Sequence, residues 1–318
     1  MANRMVVTGA AGFIGSHICE ALVARGDDVL GIDCFTDYYD VAQKRANLSA
    51  LLNHPKFRLV EESLTRMDLK RALSGAGVVF HLAAQPGVRM SWGTDFETYI
   101  EQNVRATQML CEAMKSSGAR LVYSSSSSVY GQTAHLPMRE DHPTRPNSPY
   151  GVTKLAGENL CLLYAANHGL AVAALRYFTV YGPRQRPDMA FHRFLRAMLQ
   201  GEPIEVYGSG TQTRDFTFVT DAVAANLAAA DYRGNETIFN IGGGSRVTLN
   251  TVIDLMGRVT GRTPDARFSE TQKGDVMHTM ADIALAAREL GYAPKIGIEE
   301  GIAREAEWLD AHRRGVGN

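Results

Sequence analysis

Tyr150 and Lys154 are the ends of Tyr150-Gly151-Val152-Thr153-Lys154. On a helix this spacing sets both side chains on one face, a turn apart. A tyrosine is a base near neutral pH only if its phenolate is stabilised, and an ammonium alongside does that. Upstream, Ser124 to Ser128 run into Val129-Tyr130-Gly131. A serine hydroxyl from this run can share the proton route. Tyr and Lys also meet at this spacing by chance, and serines mark loops, so the pair needs a second feature beside it.

That feature opens the chain. Thr8-Gly9-Ala10-Ala11-Gly12-Phe13-Ile14-Gly15 follows a short apolar run and precedes a helical pattern. Gly9 permits the tight turn, Gly12 lets backbone approach a pyrophosphate, and Gly15 allows close helix–strand packing, with the helix N-terminus facing the anion. Asp33 ends the second apolar run, and a carboxylate there binds ribose hydroxyls and repels a 2′-phosphate, which favours NAD over NADP. A bound pyridinium would add to the stabilisation of a Tyr150 phenolate. His81-Leu82-Ala83-Ala84-Gln85 ends another strand, where small residues let a flat cofactor lie on backbone. His81 itself reads as a core histidine.

These residues need elements to hold them. Met5–Val7, Asp28–Ile32, Phe57–Val60, Gly77–His81, Arg120–Tyr123 and Ala171–Arg176 read as strands. Helical patterns at Ile14–Ala24, Asp68–Leu73, Phe96–Ser116 and Ser148–Asn167 separate them. Such alternation predicts an α/β fold: a doubly wound parallel sheet of Rossmann type with helices on both faces. After Tyr181 the breaker-rich Gly182-Pro183-Arg184-Gln185-Arg186-Pro187 must be loop. Helices at Ala190–Gln200, Thr220–Ala230, Leu249–Thr260, Ile283–Leu290 and Ile298–Ala311, with a strand at Ile204–Tyr207, predict a smaller α/β sub-domain. The division is 1–178 for the cofactor part, re-entering near 212–241, and 179–318 mainly for the substrate part. Phe216–Val219 and Thr237–Ile241 are the candidates to re-enter the sheet.

The chain has 318 residues, 33 basic against 34 acidic, net charge −1. That balance offers no basic stripe for nucleic acid. Nine histidines form no HxxxH or HExxH pair, so no metal site is expected. Cys19, Cys111 and Cys161 sit in apolar helical patterns and Cys34 stands alone, none at metal spacing. Neither a signal peptide nor a membrane-spanning run is read, so a cytoplasmic protein with reduced thiols is expected.

Together, GAAGFIG, HLAA, SSSSSVYG and YGVTK, with Arg176-Tyr177-Phe178, resemble the extended short-chain dehydrogenase/reductases, and within them the NAD-dependent nucleotide-sugar epimerases and dehydratases. The resemblance covers essentially the whole chain. It implies NAD as cofactor and oxidation of the sugar at carbon 4. It makes Tyr150 the base, Lys154 the residue that holds the nicotinamide ribose and lowers the tyrosine pKa, and Ser126 the assisting hydroxyl. It also implies cofactor contacts at Phe13, Ile14, Ser63, Leu64, Leu82, Ala83, Ala84 and Tyr177. Asn103 matches a family asparagine on the nicotinamide side, and equally suits a buried amide that orients the Tyr150 helix.

Departures from the family pattern narrow the reaction. The 4,6-dehydratases carry Asp-Glu where this chain has Ser127 and Ser128, and the decarboxylases carry Glu just before the valine. Serines cannot serve as that acid/base pair, which leaves epimerisation. Galactose-type epimerases place Asn where Thr179 stands. Phe178-Thr179-Val180-Tyr181-Gly182-Pro183, Arg186-Pro187-Asp188-Met189, Gly31-Ile32-Asp33 with Asp37-Tyr38-Tyr39-Asp40, Ala84-Gln85-Pro86-Gly87-Val88-Arg89 and Thr271-Gln272-Lys273-Gly274-Asp275-Val276 are similar to the uronate 4-epimerases. On this resemblance Ser127, Ser128 and Thr179 face the sugar carboxylate. Arg89, Arg186, Arg214 and Asp275 serve the rest of a UDP-sugar. Arg184 divides evenly between a ligand and a solvated loop charge. Helices Phe96–Ser116 and Ser148–Asn167 resemble those of a homodimer's four-helix bundle. A UDP-galactose-type epimerase, a UDP-glucuronate decarboxylase and a non-catalytic NAD-binding regulator are the alternatives.

Overall fold

The computed structural model of the chain describes residues 4–133 and 135–316. Strands β1 (Arg4–Thr8), β2 (Asp28–Asp33), β3 (Phe57–Glu61), β4 (Ala76–His81), β5 (Arg120–Ser126) and β6 (Ala171–Tyr177) pair in parallel. The short β7 (Val180–Tyr181) follows, then β8 (Ile204–Tyr207), β9 (Thr213–Asp215), β10 (Thr217–Phe218), β11 (Ile238–Ile241), β12 (Arg246–Thr248) and β13 (Ala266–Ser269). The main sheet has the order β11-β6-β5-β4-β1-β2-β3. Its direction of winding reverses between β1 and β4, where such sheets open a ligand crevice.

Both faces of the sheet are covered, so the middles of its central strands are apolar. On one face Met5, Val7, Phe80 and Val122 pack with residues of α1 (Phe13–Arg25) and α8, which spans Val219–Asp231. On the other, Val6, Leu30, Val79 and Leu121 pack with α5 (Ala106–Met114) and α6 (Pro149–His168). Shorter helices α2 (Val41–Asn47), α3 (Leu69–Ala72) and α4 (Phe96–Tyr99) join them, and α7 (Ala190–Gln200), α9 (Leu249–Thr260), α10 (Ala284–Leu290) and α11 (Ile298–Val316) build the C-terminal part. The helix expected over Phe96–Ser116 contains a π-helical stretch, Ile100–Arg105, before α5. The helix Val41–Asn47 was not read from sequence.

Of the two candidate returns to the sheet, Ile238–Ile241 pairs with β6. Phe216–Val219 does not join it: Thr217 and Phe218 pair with β7, and Val219 begins α8. The chain has already left β6 at Phe178, whose N–H donates to the Ile241 carbonyl, so β10 meets only the short continuation beyond that break.

Helix α6 is placed by its own sequence. The Ser148 hydroxyl accepts from the Gly151 N–H at 3.1 Å and caps it, Pro149 opens it, and Gly169 closes it in a left-handed conformation. A Cβ on Gly151 would stand 2.7 Å from the Ser128 carbonyl oxygen, so the glycine lets the helix lie against the serine run.

Candidate active site

Two cavities open at the C-terminal edge of the sheet and meet along Phe13, Tyr38, Ser125, Tyr150, Tyr177 and Arg186. The first is lined by Gly9, Gly12, Phe13, Ile14, Gly15, Asp33, Leu64, Leu82, Ala83, Ala84, Tyr150, Lys154 and Tyr177. The second is lined by Arg89, Ser126, Ser127, Ser128, Tyr150, Thr179, Arg186 and Asp275. Residues chosen from scattered stretches of sequence are thus brought to one cleft.

The first cavity fits a dinucleotide. Gly9 has φ +70°, and a Cβ on Gly15 would lie 2.1 Å from the Gly9 oxygen, so the loop can close only without side chains. Gly12 precedes α1 in extended conformation with no side-chain cap, which leaves helix N–H groups for an anion. The Asp33 carboxylate accepts from the N–H groups of Ala11 (3.0 Å) and Phe35 (2.8 Å) and is held at the cavity rim. Burial raises its pKa, against those two bonds and the charge of Lys44. Lys44 and Tyr39 also line this end, and neither was assigned from sequence.

At the seam, burial raises the Tyr150 pKa, while the Arg186 charge and a hydrogen bond with Ser126 pull it down. Arg186 is therefore a cation set against this phenol, whereas the sequence reading gave that part to Lys154. Arg186 is itself clamped by Asp188, Nε to Oδ1 and Nη2 to Oδ2 at 3.0 Å each, and the Tyr38 phenol donates to Asp188 at 3.3 Å. Lys154 lies over the Tyr123 ring, 4.6 Å from its centroid. Burial lowers the Lys154 pKa to about 8, opposed by the Cys161 thiol and the Glu158 carboxylate. Tyr177 donates to Asn226 at 2.9 Å and meets the Ser124 hydroxyl at 3.3 Å.

Three predicted contacts stand apart from the cavity walls. The Ser63 hydroxyl is turned to Thr65, and Glu62 lines the cavity beside Leu64 in its place. Asn103 accepts from the Gln85 N–H at 2.7 Å and donates to the Gln85 oxygen and the Thr153 hydroxyl, both at 3.0 Å. It thereby ties the strand end after β4 to α6, the buried-amide alternative. Arg214 donates to the carbonyls of Thr213 (3.0 Å) and Met277 (3.2 Å), turned to a loop that sequence could not place beside it. Its neighbours Arg89 and Asp275 form an ion pair at 2.8 Å, with Arg89 over the Tyr207 ring at 4.2 Å. Arg184 is no solvated charge: it pairs with Glu20 of α1 at 2.6 Å. His81 bridges Thr8 (2.8 Å) and Thr107 (3.0 Å) as a core residue. Tyr38, Asp188 and Tyr207 were missed; the Asp37–Asp40 stretch was noted as distinctive, but its role depends on partners far away in sequence.

This glycine cradle, with the tyrosine, lysine and serine at its inner end, defines the class. The model of the NAD dependent epimerase/dehydratase family matches residues 5–242, and the chain belongs to that family. It is similar to an uncharacterised UDP-glucose epimerase of Bacillus subtilis, 42% identical over 98% of this chain and 99% of that one. It is also similar to the UDP-glucuronate 4-epimerase of Thermodesulfobacterium geofontis, 38% identical over 95% of each chain. The crystal structure of UDP-glucuronic acid 4-epimerase from Bacillus cereus, in complex with UDP-glucuronic acid and NAD, superposes with a TM-score of 0.95 at 40% identity, over 97% of this chain and 99% of that one. Among the described residues no His, Cys, Asp or Glu cluster is built to hold a metal ion, and no helix is long and apolar enough to cross a membrane.

Proposed function

We propose that this protein interconverts UDP-glucuronate and UDP-galacturonate by NAD-dependent epimerisation at carbon 4. The observation that carries this reading is the wall of hydroxyls, Ser127, Ser128 and Thr179, lining the second cavity with Tyr150. Among the described residues that line it, the carboxylates are Asp188 and Asp275, already paired with Arg186 and Arg89. No free acid/base pair is left there for elimination.

NAD supplies the oxidant for carbon 4 and returns the same reducing equivalent to the opposite face. Tyr150 takes the proton of the 4-hydroxyl, with Ser126 sharing its phenol's hydrogen bond, and later gives that proton back. Arg186 favours the phenolate, offsetting burial. The oxidised sugar is a 4-keto acid with its carboxylate beta to the ketone. It loses carbon dioxide when the breaking bond stands perpendicular to the carbonyl plane. Ser127, Ser128 and Thr179 hold the carboxylate out of that alignment by hydrogen bonds while the ring turns about its phosphate linkage. In this reading residues 1–178, with the return near 212–241, serve NAD, and 179–318 mainly serve the UDP-sugar, where Arg89 and Asp275 exchange their mutual bond for the nucleotide.

The active form in this reading is a homodimer through α5, α6 and the turn before them. Val152 and Leu163, about three turns apart on α6, and Ile100 are exposed, which supports that face. A cytoplasmic setting agrees with four free cysteines.

Purified protein incubated with UDP-glucuronate, its nucleotide sugars identified by NMR, tests the reading. UDP-galacturonate is the expected product. UDP-xylose as the main product would make the protein a decarboxylase. Conversion of UDP-glucose to UDP-galactose with UDP-glucuronate inert would assign it the neutral sugar that the name of the Bacillus subtilis relative carries. NAD binding without turnover of any sugar would make it a regulator.

A further inference from the structure

Ser125 of the serine run has no part in the chemistry above. It is buried, and its hydroxyl donates to Glu158 Oε2 at 2.5 Å. Glu158 stands one turn beyond Lys154 on α6, its side chain only 1% exposed. Arg176 of β6 grips it from the other side, Nε to Oε2 at 3.0 Å and Nη2 to Oε1 at 2.6 Å. The remaining Arg176 nitrogen, Nη1, donates to the Tyr130 phenol at 2.8 Å and to the Glu140 carbonyl at 3.1 Å, so the guanidinium is fixed. One carboxylate therefore joins β5, α6 and β6, the elements that end in or carry Ser126, Tyr150 with Lys154, and Tyr177.

A buried ion pair is a weak source of stability, because dehydrating both charges costs about what their attraction returns. Its position beneath the site gives it another use. Lys154 is surrounded by Glu158 and Cys161 from its own helix, Tyr123 from β5, His81 from β4 and, beyond Glu158 and Cys161, Arg176 from β6 and Cys111 from α5. Burial opposes the ammonium, and Cys161 and then Glu158 favour it, Glu158 being the carboxylate of the two and one turn away on the same helix face. We propose that Glu158, locked by Arg176 one turn beyond Lys154 on α6, is a positioning residue for the Tyr150–Lys154 pair: its carboxylate is the lysine's counter-charge on that helix face, and its bond from Ser125 sets the serine run against α6. The inference rests on the catalytic roles proposed above.

Glu158→Gln in the full-length protein keeps the acceptor and removes the charge. Competitive acetylation of Lys154 against pH, followed by mass spectrometry on protein stripped of cofactor, reads the lysine directly. The midpoint is expected to fall by roughly half a pH unit or more, and the alkaline limb of kcat with UDP-glucuronate to move the same way with KM little changed. If leaving Arg176 uncompensated prevents folding, the double variant E158Q/R176M is measured against R176M alone, so that the two differ only in the Glu158 charge, and the lower midpoint is expected in the double variant; a midpoint equal to that of R176M overturns the proposal there. A folded variant with the parental Lys154 midpoint overturns the proposal. Ser125→Ala is expected to lower kcat by about threefold to tenfold, the worth of one hydrogen bond, with the midpoint unmoved; parental kcat there overturns the anchoring. Because acetylation needs no turnover, failure of this coupling is distinct from failure of the substrate assignment.

Discussion

Where the first cavity meets the end of β1 and the start of α1, Gly9, Gly12 and Gly15 bring backbone to its wall beside Phe13 and Ile14, and these residues lie within seven positions of one another. The second cavity is walled by hydroxyls and charged groups drawn from distant segments: Tyr38 reaches Asp188, 150 positions away, and Arg89 reaches Asp275, 186 positions away. A backbone wall accepts whatever carries a pyrophosphate and tolerates no added atom. A side-chain wall can exchange one hydroxyl for another and so changes the reaction's outcome more readily than its existence.

The contrast can be broken at four points. The largest effect is expected at the seam. Tyr150→Phe removes the proton acceptor and should lower kcat by about a thousandfold, with NAD and UDP-glucuronate binding retained by calorimetry; activity near the parent's would remove Tyr150 from the chemistry. Next, Gly15→Ala forces a Cβ to 2.1 Å from the Gly9 oxygen. Overpacking against backbone should cost about 3 kcal/mol, seen as lost NAD affinity or lost thermal stability, and unchanged values would show that the loop yields where the structure has it rigid. Thr179→Ala on the side-chain wall should leave folding intact and raise the pentose by-product by about tenfold, the worth of one hydrogen bond to a charged group. A product ratio equal to the parent's would remove the hydroxyl wall from control of decarboxylation.

The smallest effect concerns His81, whose burial holds its pKa down at about 3. The unfolded chain binds that proton near pH 6.5 and the folded one does not, so stability present above pH 6.5 is lost as pH falls from there toward 3. At pH 5.5 the loss is about 1 kcal/mol from this residue. His81→Gln should lower the melting temperature yet flatten its dependence between pH 6.5 and 5.5. An unchanged slope would place the acid sensitivity on His17 and His192, both depressed to about 4 by burial.

The backbone wall was legible in sequence because turn, cradle and helix start are local events written in glycine spacing. The sheet was legible for the same reason: each of its first six strands carries a short apolar run bounded by turn or helix signals. The strands that escaped notice, such as β7, β9 and β12, are two or three residues long and show no period. Phe216–Val219 looks like a core strand because it is apolar, but its pairing was decided by where β6 stops. The π-helical stretch around Asn103 carries the residue pattern of an ordinary helix, and only the tie to Gln85 and Thr153 gives it meaning. For Arg214 the residue type was informative and the direction was not, since that depends on Met277. Tyr38 and Arg186 show the same limit, because the charge they share is assembled only when two loops meet.

That meeting of loops has a consequence for the order in which ligands arrive. Tyr38 follows Asp33 by five positions on the cofactor side and bonds the Asp188 that clamps Arg186 on the sugar side. Steadying either loop steadies the other, and such coupling is reciprocal by thermodynamic necessity: the factor by which NAD tightens UDP-glucuronate equals the factor by which UDP-glucuronate tightens NAD. Titrations in both orders close that cycle, and Tyr38→Phe opens it, leaving two sites that fill independently.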